Sequence, residues 1–374
     1  RRALARQPLP DLASRLVFPA GDGLPVLPVP ERPRASIVVP VYNQLELTLG
    51  CLHALAASGD ATAFEVIVVD DCSGDDSPRV LPEISGLRYH RNAENLGFIG
   101  ACNAGAALAR GEFIVFLNND TTVQPGWLDA LLDTFARFPD TGLAGSRLVY
   151  PDGRLQEAGG VIFRDGSCWS YGRFEDPDHP RYGHVREADY CSGAALAIPR
   201  RLFDELGGFD RHYAPAYYED TDLAMRVRRA GLKVRYQPAS LVVHHEGASA
   251  GTDLGAGMKA HQRHNRAKFL ALWPRIRRPM PTRTAPPATA AAIACWCWTP
   301  ARRRPIAIPV RCACWRCCAC CWRKAARWPS SRKARRMTAT TPVPCRPWAW
   351  KPGGSRPWAP CPTGCAGMAP ISIW

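Results

Sequence analysis

ASIVVPVYN (35–43), FEVIVVDDCSGDD (64–76) and EFIVFLNND (112–120) decide the fold. Each is an apolar run rich in Val and Ile that stops abruptly at polar or acidic residues: Tyr42 and Asn43, Asp70 and Asp71, and Asn118, Asn119 and Asp120. Unbroken apolar runs of this length fit central strands covered on both faces, as in parallel sheets. Helical spacing fills the gaps between them. Leu45, Leu49, Leu52 and Leu55 share one helix face. LRYHRN (87–92) reads as a third short strand, and IGACNAGAALARG (99–111) as a helix closed by Gly111. Pro125 is placed to open a helix over PGWLDALLDTFARF (125–138), at the first-turn position where proline fits. Strands alternating with helices predict an α/β fold, a Rossmann-like and mostly parallel sheet flanked by helices. Such sheets bind ligands beyond the carboxyl ends of their strands. One acidic ending is commonly a turn or helix cap; three of them point to a shared cleft.

The second half, residues 142–274, has shorter strands and more glycine and aromatic residues, so a mixed arrangement is expected there. YYEDTDLAMRVRRAG (217–231) sets Glu219, Asp220 and Asp222 at the start of a helix ending at Gly231. LVVHHEGAS (241–249) sets His244 and His245 at a strand end. Neither GxGxxG nor GxxxxGK[ST] occurs, which argues against a dinucleotide fold of the usual kind and against an NTPase.

The net charge of +15 misleads. Residues 1–274 hold 29 basic and all 33 acidic residues, a net −4, while residues 275–374 hold 19 basic residues and no acid. The basic balance therefore belongs to the tail and is no argument for nucleic-acid binding by the folded part. Eighty-six of those last 100 residues are Ala, Pro, Arg, Cys, Trp, Gly, Ser or Thr, the amino acids whose codons carry G or C in the middle position. In a GC-rich gene a frame slip moves the G/C-rich third position there, so residues 275–374 read as a disordered, out-of-frame tail. A zinc module built from Cys312, Cys314, Cys317, Cys318, Cys320 and Cys321 is the rival reading. These cysteines crowd into one stretch, whereas structural zinc sites use separated ligand pairs. Before Trp273 five cysteines lie scattered, as reduced cytosolic thiols do. Residues 1–33, with seven prolines, read as an extended linker. No run of about 18 apolar residues occurs.

SIVVPVYN (36–43), VVDDCS (68–73), NLGFIGACNAG (95–105), GEFIVFLNNDT (111–121), YCSGAALAIPRRLFDELGGFD (190–210), YYEDTDLAMR (217–226) and HHEGAS (244–249) together resemble a family 2 glycosyltransferase of the GT-A fold, and more narrowly its bacterial rhamnosyltransferase-like branch. The pieces occur in family order and cover about residues 35–273. The resemblance implies one transferase domain over 34–274, with a nucleotide-binding half (34–141) and an acceptor half (142–274). It implies that Pro40, Tyr42, Asn43, Asp71, Asn95, Gly97, Asn119 and Gly193 bind the nucleotide-sugar, with the Tyr42 ring near the base and Asp71 bonded to a pyrimidine or its ribose. Asp120 ends the family's metal motif, written here with one acid in three, and His244 is the second expected ligand of a divalent cation, Mn2+ or Mg2+. His244 fits better than His245 by its spacing to Gly247 and Ser249. Asp220 is the expected catalytic base and Glu219 its partner in orienting base or acceptor. Asp222 reads instead as a helix-dipole acid, and Arg226 as an intrahelical pair or a phosphate contact.

The implied reaction is inverting transfer of a sugar from dTDP-rhamnose or a UDP-hexose to a cell-surface glycan or lipid-linked acceptor hydroxyl, by a cytoplasmic enzyme at the inner face of the membrane. A sugar-nucleotide pyrophosphorylase is the alternative within enzymes, but PVYNQLELT (40–48) lacks the Gly-rich basic loop that it needs. A catalytically dead, truncated glycan-binding product is the alternative outside them. Binding alone needs neither a base nor a metal, so the acids and histidines weigh against it.

Overall fold

A computed structural model describes residues 11–19, 21–245 and 260–274. The tail, its cysteine cluster, and residues 246–249 with the Gly247 and Ser249 that favoured His244 all lie outside the described residues. In the first half β1 (Ala35–Val41), α1 (Leu45–Ala56), β2 (Phe64–Asp70), the single turn α2 (Ser77–Val80), β3 (Leu87–Arg91), α3 (Gly97–Leu108) and β4 (Phe113–Leu117) follow the predicted alternation. Then come β5 (Thr121–Val123), α4 (Trp127–Arg137), β6 (Thr141–Val149), β7 (Leu155–Glu157), β8 (Gly160–Ile162) and β9 (Cys168–Ser170). The last elements are β10 (Arg186–Glu187), β11 (Ala195–Pro199), α5 (Arg200–Glu205), α6 (Glu219–Arg229), β12 (Lys233–His244) and α7 (Ala260–Leu272).

The main sheet runs β10-β12-β6-β11-β4-β1-β2-β3, with β5 on β12 and β7 on β6. Strands β3, β2, β1 and β4 are mutually parallel. The antiparallel β11 joins them to β6 and β12, which makes the second half mixed, as expected. The chain leaves β1 for β2 and β3 on one side and returns to β4 on the other, so the switch point lies between β1 and β4. Val41 pairs with Asp70, and Val38 with Phe116. The three polar strand endings therefore emerge level at one edge.

Alternation along these strands explains their unbroken hydrophobicity. Ile37, Val39, Val66, Val68 and Val115 pack with Leu52, Leu55, Trp127 and Leu131 of α1 and α4 on one face. Val38, Ile67, Val69, Ile114 and Phe116 pack with Ile99, Leu223, Val227 and Phe269 of α3, α6 and α7 on the other. Both faces are dry, so the strand centres are apolar throughout, and the polar Ser36 and Glu65 near the strand starts bond each other. Each fully buried Leu or Val contributes roughly 1.5–3 kcal/mol.

Two predicted boundaries shift. Helix α3 stops at Leu108, not at Gly111. Gly111 instead lies against β1, where a Cβ would stand 2.7 Å from the Ala35 carbonyl carbon. Helix α4 starts at Trp127 behind a left-handed Gly126, so Pro125 lies before the cap and not in the first turn. Its first amides, of Leu128 and Asp129, donate to Asp60 Oδ1 at 2.9 and 3.0 Å, a cap supplied from a distant turn. Gly231 does end α6 as predicted. With φ +83° it takes the left-handed position, and the Leu232 amide reaches back to the Val227 carbonyl.

The described part of the proline-rich segment, residues 11–19 and 21–33, is docked and not wholly extended, since Asp11–Arg15 forms a 3-10 turn. Leu12 and Leu27 are buried, Leu27 N donates to Ser85 O, and the Gln124 amide bonds both N and O of Val17. Its prolines made it read as a linker, but these two leucines find sites on the domain while Val17, Phe18, Leu24, Val26 and Val29 stay exposed.

Candidate active site

At the carboxyl ends of β1 and β2 two turns brace each other. Asn43 and Gln44 are both left-handed, with φ 58° and 63°, a cost for non-glycine residues that persists only where the surroundings enforce it. Asn43 N donates to Ser73 Oγ at 2.8 Å, and Gly74 N donates to Asn43 Oδ1 at 2.8 Å. This bracing leaves the Tyr42 ring 55% exposed above the strand ends, while Pro40 is half-buried within β1. Asp71 is buried. Its Oδ1 accepts from Asn92 Nδ2 (2.8 Å) and Leu96 N (2.9 Å), and its Oδ2 from Gly97 N (2.8 Å). Asp71 thus anchors the Asn95–Gly97 turn, with about one of its four acceptor positions left. Asn95 caps that turn through Oδ1 to Gly97 N at 3.1 Å. Gly97 has φ +71°, and a Cβ there would come within 2.8 Å of Pro215, so two reasons require glycine.

The turn after β4 carries Asn118, Asn119 and Asp120, and strand pairing brings it to the histidines. Strand β5 runs antiparallel to β12, with Thr121 opposite His244, and His245 N donates to Asp120 O at 2.9 Å. Asp120, 2% exposed, has its Oδ1 3.2 Å from His244 Nε2. The other ring nitrogen, His244 Nδ1, lies 2.9 Å from Gln156 Oε1. An amide oxygen only accepts, so Nδ1 donates to it, which leaves Nε2 as the ring nitrogen facing Asp120. A carboxylate and an oriented imidazole suit a divalent cation, and a second hydrogen bond on the distal nitrogen is how ligating histidines are usually held. Among the described residues no group of three or more His, Cys, Asp or Glu could hold a metal. A cation here would take its remaining ligands from phosphate oxygens and water. His245 instead faces Thr122 Oγ1 at 3.2 Å and Phe18, and burial pushes its pKa down. Asn119 points away from the histidines, with Nδ2 donating to Thr48 Oγ1 on α1 at 3.0 Å.

In the second half Tyr217 and Tyr218, both left-handed, lead into α6. Asp220 Oδ2 accepts from Gly193 N at 3.1 Å and Oδ1 from Thr221 N at 2.6 Å. Burial raises the Asp220 carboxyl, and these donors partly offset it. Glu219 is more deeply buried, and burial followed by the Asp220 charge pushes it well above the carboxylate range. The pair thus leaves Asp220 the more exposed and more acidic partner. A Cβ on Gly193 would make ordinary contacts, the nearest at 3.6 Å from Phe98; the residue serves through its N–H. Asp222 lies in the first turn of α6, where the helix-dipole reading put it, and does more than complement the dipole. It is fully buried and meets Arg226 Nε (2.7 Å), Trp273 Nε1 (2.8 Å) and the Tyr213 hydroxyl (3.4 Å). Arg226 also binds the carbonyls of Leu206 and Gly208 at 2.8 Å, so it is an intrahelical and loop clamp and not a phosphate contact. Gly207 and Gly208 turn the chain, with φ +81° and +75°, and Phe209 is buried beside Phe116.

Sequence reasoning missed Gln156 and Glu157. They sit on β7, where an irregularity in the pairing with β6 leaves both side chains buried. Glu157 accepts from Ser192 N (2.9 Å) and Ser170 Oγ (3.0 Å). It braces the turn whose next amide holds Asp220. Burial raises its carboxyl to about 7, against the pull of those two donors. Nothing in DGRLQEAGG (152–160) marks these residues, because their partners lie far off in sequence.

The sequence profile of Glycosyl transferase family 2 matches residues 36–207. The O-antigen biosynthesis protein RfbC of Myxococcus xanthus is 30% identical over 60% of this chain, which spans only 18% of that protein. The N-acetylglucosaminyl-diphospho-decaprenol L-rhamnosyltransferase of Mycobacterium tuberculosis is 30% identical over 53% of this chain and 72% of its own length. Among solved structures, GalNAc-T7 with UDP, GalNAc and Mn2+ superposes with a TM-score of 0.51 at 17% identity, over 65% of this chain and 48% of that one; this likeness shows the GT-A fold alone. On these grounds the chain belongs to glycosyltransferase family 2, among its rhamnosyltransferase-like members.

Proposed function

We propose that this glycosyltransferase carries out inverting transfer from a nucleotide-diphosphate sugar, dTDP-rhamnose or a UDP-hexose, to a hydroxyl of a lipid-linked or cell-surface glycan. The observation that carries the proposal is the pairing of Asp120 with an oriented His244 at the edge where β1, β2 and β4 end. Tyr42 offers an exposed face for stacking on the base, and Asn43, Asp71, Asn95, Gly97, Asn119 and Gly193 shape or line the nucleotide-sugar site around Pro40. Asp120 and His244 would hold a divalent cation, Mn2+ or Mg2+. Such an ion, when bound, neutralises charge on the diphosphate leaving group.

Asp220 acts as general base. The acceptor oxygen bonds to the anomeric carbon as its proton passes to the Asp220 carboxylate. The anomeric C–O bond breaks, and its electron pair leaves on the nucleoside diphosphate from the opposite face. A raised carboxyl is better matched to accepting that proton near neutral pH. Glu219 orients the base. No described helix is long and apolar enough to cross a membrane. We place the enzyme in the cytoplasm, at the inner membrane face; the mycobacterial relative's printed activity on a decaprenol-linked sugar supports the lipid-linked acceptor alone. The test is nucleoside-diphosphate release from dTDP-rhamnose and UDP-hexoses with a polyprenyl-diphosphate-linked acceptor and Mn2+. Turnover in the wild type and its absence in Asp220→Asn are expected; equal turnover in both overturns the role of Asp220.

A further inference from the structure

Helix α7 docks on the acceptor side through polar contacts unlike those of an ordinary packing helix. Asn265 is completely buried. Its Nδ2 donates to three backbone carbonyls of one loop: Tyr213 O at 2.7 Å, Ala216 O at 2.9 Å and Tyr217 O at 3.0 Å. Two amide hydrogens thus serve three acceptors. The loop cannot hold its shape through intrinsic preference. Tyr217 and Tyr218 are consecutive bulky residues at φ 74° and 76°, each costing about 1–3 kcal/mol unless the surroundings enforce it. The next two residues are Glu219 and Asp220.

The other side of the loop touches the donor half. Pro215 O accepts from Ile99 N at 3.3 Å, and the missing side chain of Gly97 makes room for Pro215. A single loop therefore spans from the Asp71-anchored turn to the base. Phe269 of α7 packs on the Tyr218 ring at 5.3 Å, and Arg266 holds Asp165 on the turn between β8 and β9.

We propose that Asn265 is a positioning residue for Asp220: its amide holds the Tyr213–Tyr218 loop in the left-handed conformation that presents the carboxylate to the acceptor. This rests on the assignment of Asp220 as the base. A displacement of about 1 Å at a reacting group can cost on the order of 100-fold in rate.

The test uses the full chain carrying Asn265→Ala, with Leu270→Ala as control. Leu270 lies on the same helix against Gly166, on the turn between β8 and β9, and has no side-chain hydrogen-bonding group. Asn265→Ala is expected to lower kcat roughly 10- to 100-fold, leaving the Kd of UDP or dTDP with Mn2+ within about two-fold. Hydrogen exchange at amides 217–222 should quicken about ten-fold or more, while that of β1 and β4 stays unchanged. Leu270→Ala should lower Tm yet keep kcat. If Asn265→Ala does not fold, Asn265→Ser, which retains one donor, carries the same test with a smaller loss of rate. Unchanged kcat, or equal losses in Leu270→Ala, overturns the proposal. A wild type with no turnover overturns the transfer reading instead, and exchange at 217–222 then judges Asn265 alone.

Discussion

Replacing Glu157 with Gln should make the protein more stable at alkaline than at acidic pH relative to the wild type. The carboxyl is buried at 4% exposure, and its two donors, Ser192 N and Ser170 Oγ, do not offset the loss of water. Its pKa is raised to about 7 from an ordinary 4.5. A raised carboxyl holds its proton more tightly folded than unfolded. Its contribution is therefore full below pH 4.5 and is lost as pH rises to about 7, where the unfolded chain has already ionised and the folded one has not. The gap, at 1.36 kcal/mol per pH unit, amounts to about 3 kcal/mol. Glutamine keeps an oxygen for Ser192 N, and its amide can donate to Ser170 Oγ without titrating. Thermal unfolding of both proteins at pH 5 and pH 8 reads the effect. Part of the gap has already opened at pH 5, so about 2.5 kcal/mol remains between the two, and the Tm difference should shift in favour of Glu157→Gln by roughly 5–10 °C, at about 2–4 °C per kcal/mol for a domain of this size. A difference that does not change with pH would refute the desolvation argument.

Three further outcomes follow from the site. Asp220→Asn should remove at least 100-fold of turnover while calorimetric binding of the nucleoside diphosphate persists; loss of both together would mean that the residue serves the fold. Gln156→Leu, which frees the His244 ring, should weaken Mn2+ binding about 10- to 100-fold, read by electron paramagnetic resonance titration, and unchanged affinity would show that the His244 orientation is set elsewhere. Tyr42→Ala should weaken UDP or dTDP binding by roughly 10- to 100-fold, the loss of one stacked base, with little change in Tm, because the ring is exposed.

The parallel half was readable because its signal is local. Val and Ile runs covered on both faces need no partner to be recognised, and the polar ends Asn43, Asp71 and Asp120 follow them directly. The acceptor half was readable only where a motif ran contiguously, as from Tyr217 to Arg226. What could not be read is what pairing across long separations creates. A bulge on β7 leaves Gln156 and Glu157 buried, and α7 delivers Asn265 to a loop some 50 residues earlier; the meeting of Asp120 and His244 across β5 and β12 was expected only through the family resemblance. The four-residue spacing of Asp222 and Arg226 gave their intrahelical pair correctly, while their further contacts to Trp273 and Leu206 come from tertiary packing that no local pattern shows.

The central claim is that the edge holding Tyr42, Asp71, Asp120 and His244 is a metal-assisted nucleotide-sugar site. Isothermal calorimetry of UDP and dTDP against the full chain, with and without Mn2+ and in Asp120→Ala, tests it most directly. Binding that strengthens with Mn2+ and loses that gain in Asp120→Ala is the predicted result. Absence of nucleotide binding by the folded wild type, or binding indifferent to both Mn2+ and Asp120, would contradict it.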